Sequence, residues 1–347
     1  MAGLAFVVGA SGIVGNNLAR HLRARGWQVY GLARRPPNDI DGMLPVQADL
    51  LDLASLRTAL QGLRPTHAFI SAWLRQETEA DNIRINGAMV RNVLDALSPA
   101  GSLSHVALVT GLKHYLGPFE AYGKGKLPAT PFREDQPRLD VDNFYYAQED
   151  ELFAAAGRAG FGWSVHRPHT IIGYAVGNAM NMGVTLAAYA TICKATGRPF
   201  LFPGSAMQWN GLTDMTDAML LARHLEWAAT TEAARDQAFN VVNGDVFRWS
   251  WMWGRLASWF GLEPVPFSGT GAPGAPAGRR GTDLGRPRPQ TRLGGVQSRR
   301  RRLALAHRRR PGPPDRGRHR HEQEPQARLP RLSGHRRQLL QPVRPFA

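Results

Sequence analysis

Cysteine is almost absent from this chain: Cys193 is the only one in 347 residues. A disulfide scaffold is therefore excluded. Long apolar runs are missing as well. None approaches the ~18–20 residues a membrane helix needs, so no membrane partner is expected. The start has no basic stretch and no small-residue cleavage site, and LAFVV at 4–8 reads as a strand. These features together predict a cytoplasmic protein. No His/Cys grouping has metal-ligand spacing, and no Walker loop or Ser-His-Asp pattern occurs.

Composition changes sharply near Ser268. The 80 residues from there to Ala347 hold 20 arginines, no lysine and four acids, which accounts for the whole net charge of +16. Residues 1–267 carry as many acidic as basic groups. A globally basic nucleic-acid binder is thereby excluded, and any nucleic-acid partner would have only this tail to bind. The tail also holds 11 of the 25 prolines and has no Ile, Asn, Met, Tyr or Trp. Residues 268–347 are thus expected to be a disordered Arg/Pro-rich tail. Their composition fits an out-of-frame translation of a G- and C-rich gene better than a functional basic arm.

The first 170 residues alternate short apolar runs with amphipathic stretches. Strands are expected at 4–8, 28–32, 44–48, 67–72, 105–110 and 163–166, and helices at 16–25, 53–63, 83–97 and 143–158. This alternation predicts an α/β fold: a doubly wound, Rossmann-type parallel sheet with right-handed crossovers. Residues 170–267 are mixed and rich in Met, Trp and Gly, and read as a smaller C-terminal substrate lobe. The predicted organisation is a Rossmann domain over 1–169, the lobe over 170–267 and the tail beyond. Met180, Met182 and Met215 in that lobe read first as plain core residues and second as an adaptable apolar pocket.

The first strand ends in Gly9-Ala10-Ser11-Gly12-Ile13-Val14-Gly15. Gly9 allows a tight turn, Gly12 lets the backbone approach a pyrophosphate, and Gly15 lets helix and strand pack closely. Ser11 and Ile13 complete the loop, and the phosphates would sit at the helix N-terminus. The second strand runs into Arg34-Arg35, where an NAD enzyme usually places an acid. Two guanidiniums suit a 2′-phosphate. NADPH is therefore expected over NADH, with Asp49 after the third strand placed for the adenine amino group.

Short-chain dehydrogenases carry Tyr-x-x-x-Lys on one helix. That pair is absent here, since Tyr145 and Tyr146 are followed four positions on by Glu149 and Asp150. Lys113, just past the fifth strand, stands where strand ends face a cofactor. His166 and His169, flanking the sixth strand, read as ordinary hydrogen-bonded histidines.

Several stretches in order carry a resemblance: 9–15, 33–36, 86–93, Thr110–Phe119 (TGLKHYLGPF), Asn143–Asp150 (NFYYAQED), Trp163–Pro168 (WSVHRP) and Leu201–Ser205 (LFPGS). The chain resembles the progesterone 5β-reductase/iridoid synthase-like enzymes, an atypical branch of the extended short-chain dehydrogenase/reductases. The resemblance covers residues 4 to about 267. It implies NADPH-dependent 1,4-reduction of activated C=C bonds in small apolar enones and enals. The family's catalytic lysine falls on Lys113 and its catalytic tyrosine on Tyr146, both beside the cofactor. Trp73, Phe119 and Tyr145 are expected to line the substrate pocket, with Tyr145 mainly a packing residue. Two other readings compete: a non-catalytic NADP(H) sensor whose tail binds nucleic acid, and a ketone reductase or epimerase.

Overall fold

The computed structural model describes residues 3–118, 128–177 and 180–267. Seven strands form one parallel sheet: β1 (Leu4–Val8), β2 (Gln28–Ala33), β3 (Leu44–Gln47), β4 (His67–Ile70), β5 (His105–Val109), β6 (Gly162–Pro168) and β7 (Gln237–Val241). Their spatial order is β3-β2-β1-β4-β5-β6-β7, and every neighbouring pair is parallel. The order reverses between β1 and β4, which opens a crevice at the carboxyl ends of those strands.

The nine α-helices of the described residues are α1 (Ile13–Ala24), α2 (Leu53–Ala59), α3 (Glu79–Leu97), α4 (Lys113–Leu116), α5 (Phe144–Ala159), α6 (Met182–Thr196), α7 (Ala206–Asn210), α8 (Ala218–Thr230) and α9 (Trp249–Phe260). The continuous apolar run of β1 follows from burial on both sides. Phe6 and Val8 pack with Leu56 of α2, Val90 and Leu94 of α3, and Leu152 of α5. Ala5 and Val7 pack with Leu18 and Leu22 of α1 and with Leu221 and Leu225 of α8. A third cluster gathers Cys193, Phe200, Phe202, Trp253 and Ala257. There Trp253 stacks on Phe200 at 4.0 Å between ring centroids, and its indole N–H donates to the Phe200 carbonyl.

The expected strands all form, with ends shifted by a few residues. Strand β7 lies in the stretch that showed no clear pattern. It is a sheet edge bonded only to β6, and its partly exposed QAFNV lacks the apolar signature of the inner strands. Helix α1 starts earlier than expected, inside the glycine loop itself. Helix α3 starts at Glu79 rather than Ile83, because Thr78 caps it by accepting from the Asp81 N–H at 3.1 Å. No helix of the described residues is long and apolar enough to cross a membrane.

Candidate active site

The crevice is a cavity of about 620 Å³. It is walled by Gly9 and Ser11–Val14, by Leu32–Arg34, by Ala48–Leu50, by Ser71–Leu74, by Val109–Lys113 and by Pro168–Ile171, with Met89, Leu116, Tyr145 and Met180 completing it. One end is therefore built from the turn after β1, and the other from the ends of β5 and β6.

The nucleotide end is shaped by backbone. Gly9 has φ +89°, a conformation that favours glycine. A side chain on Gly15 would place its Cβ 2.2 Å from the Gly9 carbonyl oxygen, so only hydrogen fits where α1 crosses the turn. Gly12 caps α1 without any side-chain bond, leaving the first-turn N–H groups directed at the cavity mouth. A dinucleotide pyrophosphate fits this cradle. Arg34 is exposed and lines the cavity; Arg35 is exposed and lies outside the lining. Asp49 lines the cavity while its carboxylate accepts from the Leu51 N–H at 2.9 Å.

The other end is a knot of side chains. Lys113 opens α4 and is 4% exposed. Its Nζ lies 3.3 Å from Glu79 Oε2 and 4.8 Å above the Phe144 ring. Asn143 Nδ2 donates to the Lys113 carbonyl at 2.7 Å, and Asn143 Oδ1 caps α5 by accepting from the Tyr145 N–H at 3.0 Å. Tyr145 lines the cavity. Its phenol lies against the end of β5, since a Cβ on Gly111 would stand 3.2 Å from the Tyr145 oxygen. Trp73 lines the cavity and stacks on Phe144 at 5.6 Å.

The structure departs from expectation at Tyr146. This side chain is buried and does not line the cavity. Its hydroxyl donates to the His114 carbonyl at 2.6 Å and accepts from the Leu139 N–H at 3.0 Å. Burial raises its pKa above the ordinary phenol value. Neighbouring residues on a helix point about 100° apart, so only one of the two tyrosines can face the crevice. Tyr146 instead braces the loop that carries Lys113. Phe119, expected in the substrate pocket, falls outside the described residues.

His166 is buried between Ser164 and His224, and burial holds its pKa well below the usual imidazole value. His169 differs: it lines the cavity, and its Nδ1 bonds Asp214 at 2.5 Å. Sequence reasoning missed this pair, because Asp214 lies 45 residues further on.

A glycine-cradled crevice at a sheet's switch point defines a Rossmann-type fold. The sequence profile of the PRISE-like Rossmann-fold domain matches residues 47–281, and the chain belongs to this family. It is 45% identical over 275 residues to the (S)-8-oxocitronellyl enol synthase CYC2 of Camptotheca acuminata, covering 76% of this chain and 70% of that protein. It is 43% identical over 275 residues to the 3-oxo-Delta(4,5)-steroid 5-beta-reductase of Arabidopsis thaliana, covering 76% and 71%. Among solved structures, the fold is shared with the Bordetella bronchiseptica enzyme WbmH in complex with NAD+. That match has a TM-score of 0.57 at 16% identity and covers 76% of this chain and 84% of that one. MoeE5 in complex with UDP-glucuronic acid and NAD matches with a TM-score of 0.60 at 22% identity, covering 76% and 84%.

Proposed function

We propose that this protein is an NADPH-dependent reductase of activated C=C bonds in enones and enals. NADPH, when bound, supplies the hydride that enters at the β-carbon of the unsaturated carbonyl compound. Negative charge then grows on the carbonyl oxygen. Tyr145 is assigned the hydrogen bond to that oxygen, in place of the expected Tyr146. A phenol held at the developing charge acts as an oxyanion-hole donor, worth ~3–4 kcal/mol in comparable sites. Lys113 contributes a fixed positive charge beside it. The α-carbon can take its proton from water, so the reaction does not need the tyrosine to give up its own.

The observation that carries this reading is the convergence of Tyr145 and Lys113, from two separate helices, on one cavity whose other end is the glycine cradle. The kinship with an enol synthase and a steroid 5-beta-reductase supports the substrate class. Arg34, with no acid at the end of β2, supports NADPH over NADH. The expected boundary at 169/170 is corrected: α8 and β7 complete the Rossmann sheet and its helix layer, and the substrate lobe is assigned to the remaining parts of 170–267, around α6, α7 and α9. A second cavity of about 480 Å³ lies there, lined by Met182, Leu186, Phe202, Trp249 and Trp253, and it shares Met180 with the first. Its apolar walls suit a hydrocarbon-rich substrate.

The test is loss of reduced-nicotinamide absorbance with a panel of enones, each paired with its saturated ketone. Turnover of the enones, faster with NADPH than with NADH, is expected. Turnover confined to the saturated ketones would overturn the reading.

A further inference from the structure

We propose that Glu79 is the positioning residue that sets Lys113 and Tyr145 in register, the task that Tyr-x-x-x-Lys spacing performs on a single helix. This inference rests on the reading of Lys113 and Tyr145 given under Proposed function. Residues four apart on one helix are held as neighbours by the helix itself. Here the amine belongs to α4 and the phenol to α5, with residues 117–143 between those helices. Something other than helical geometry must hold them together.

Glu79 is placed to do so. It is the first residue of α3, and its side chain is 9% exposed. Its two carboxylate oxygens have divided duties. Oε2 faces Lys113 Nζ at 3.3 Å and accepts from Asn82 Nδ2 at 3.2 Å. Oε1 accepts from the Phe144 N–H at 2.8 Å. Phe144 is the first residue of α5 and directly precedes Tyr145. One rigid carboxylate therefore touches the amine and the backbone that aims the phenol.

The electrostatics agree. An ammonium this deeply buried loses its proton readily unless a counter-charge faces it. Glu79 supplies that charge, and Asn82 and Phe144 satisfy the carboxylate's remaining hydrogen-bonding capacity. The contact thus pairs the buried Lys113 amine with a carboxylate at the place where charge develops on the substrate.

The experiment is a double-mutant cycle on the full chain with Glu79→Gln and Lys113→Met. Gln keeps the shape and removes the charge. We expect Glu79→Gln to lower kcat roughly 10- to 100-fold with KM changed less than about threefold. In the Lys113→Met background the same change should cost less than about twofold, because its partner is gone. A second readout needs no turnover. In the protein without substrate or nucleotide, labelling of Lys113 by an amine-selective reagent, followed by peptide mass spectrometry, should speed up severalfold in Glu79→Gln as the amine loses the carboxylate that holds it. Glu79→Asp, which retains the charge with a shorter reach, serves in the cycle should the Gln variant precipitate. An equal loss in both backgrounds, or unchanged kcat and labelling, would overturn the positioning role while leaving Lys113 as a functional group. Full activity of Lys113→Met would instead overturn the underlying reading, and this inference with it.

Discussion

The two ends of the crevice are built on different principles. The nucleotide end is a single seven-residue turn in which glycines at 9, 12 and 15 let backbone approach backbone. The lysine–tyrosine end draws Glu79 from α3, Lys113 from α4 and Tyr145 from α5, with His169 following β6. At the first end, function follows from what side chains are missing. At the second, it follows from four buried or half-buried polar groups aligned across distant segments. The comparison teaches that a contiguous motif tolerates little substitution but is simple to recognise. A dispersed site is held by hydrogen bonds that no local pattern announces.

The sharpest test of the dispersed end contrasts its two tyrosines. Tyr145→Phe is expected to reduce kcat roughly 100- to 1000-fold in steady-state enone assays. Tyr146→Phe should leave kcat within about tenfold. It should instead lower unfolding stability by about 1–2 kcal/mol, since the His114 carbonyl and Leu139 N–H lose their partner. The opposite pattern would return the donor role to Tyr146.

Acid should weaken the lysine side of the sheet next. Burial lowers His105 on β5 to a pKa of about 4, with His67 adding to the effect, and lowers His114 on α4 to about 4, with Arg167 adding to it. Burial also holds His166 on β6 well below the usual imidazole value. Above pH 6.5 these groups are neutral in both folded and unfolded chains and contribute nothing to pH dependence. As pH falls from 6.5 toward 4, the unfolded chain takes up the protons first, so native stability declines. For His105 alone the full effect is about 3 kcal/mol. Glu149, whose pKa is raised by burial, works in the opposite sense by favouring the native state as pH falls. Thermal unfolding across this range should show a falling Tm, and a flat profile would refute the assignment of neutral buried histidines.

The nucleotide end should break through sterics. Gly15→Ala drives a Cβ into the Gly9 carbonyl, and an NADPH dissociation constant raised roughly 100-fold is expected in fluorescence titrations. The smallest expected effect belongs to Arg34→Ala. It should weaken NADPH about tenfold and leave NADH nearly unchanged. Arg35→Ala, outside the cavity lining, should do less in the same titration.

Much of the fold was legible because strand–helix alternation is written in local hydrophobicity. Strands β1 to β6 followed from short apolar runs, and β7 escaped because an edge strand needs no such run. The glycine loop was legible because its geometry is local. Glu79 was not: Thr78-Glu79-Ala80-Asp81 reads at most as a helix start, and nothing in it points 34 residues ahead to Lys113. Nor could Tyr145 be told from Tyr146, whose identical side chains stand side by side. The choice depends on how α5 is rotated about its axis. That rotation is set by the Asn143 cap, by the Phe144 N–H on Glu79, and by Phe144 wedged between Trp73 and Tyr145.

The amino-acid sequence by itself determined the strand–helix alternation, the glycine turn and the presence of a lysine at the end of β5, because each depends on neighbours within a few residues. Tertiary structure alone decided which phenol lines the crevice with that lysine, and which carboxylate contacts the lysine and the first N–H of α5. Those choices turn on the relative placement of α3, α4 and α5, and side chains brought together from residues 79, 113 and 145 acquire their partners only when the helices pack.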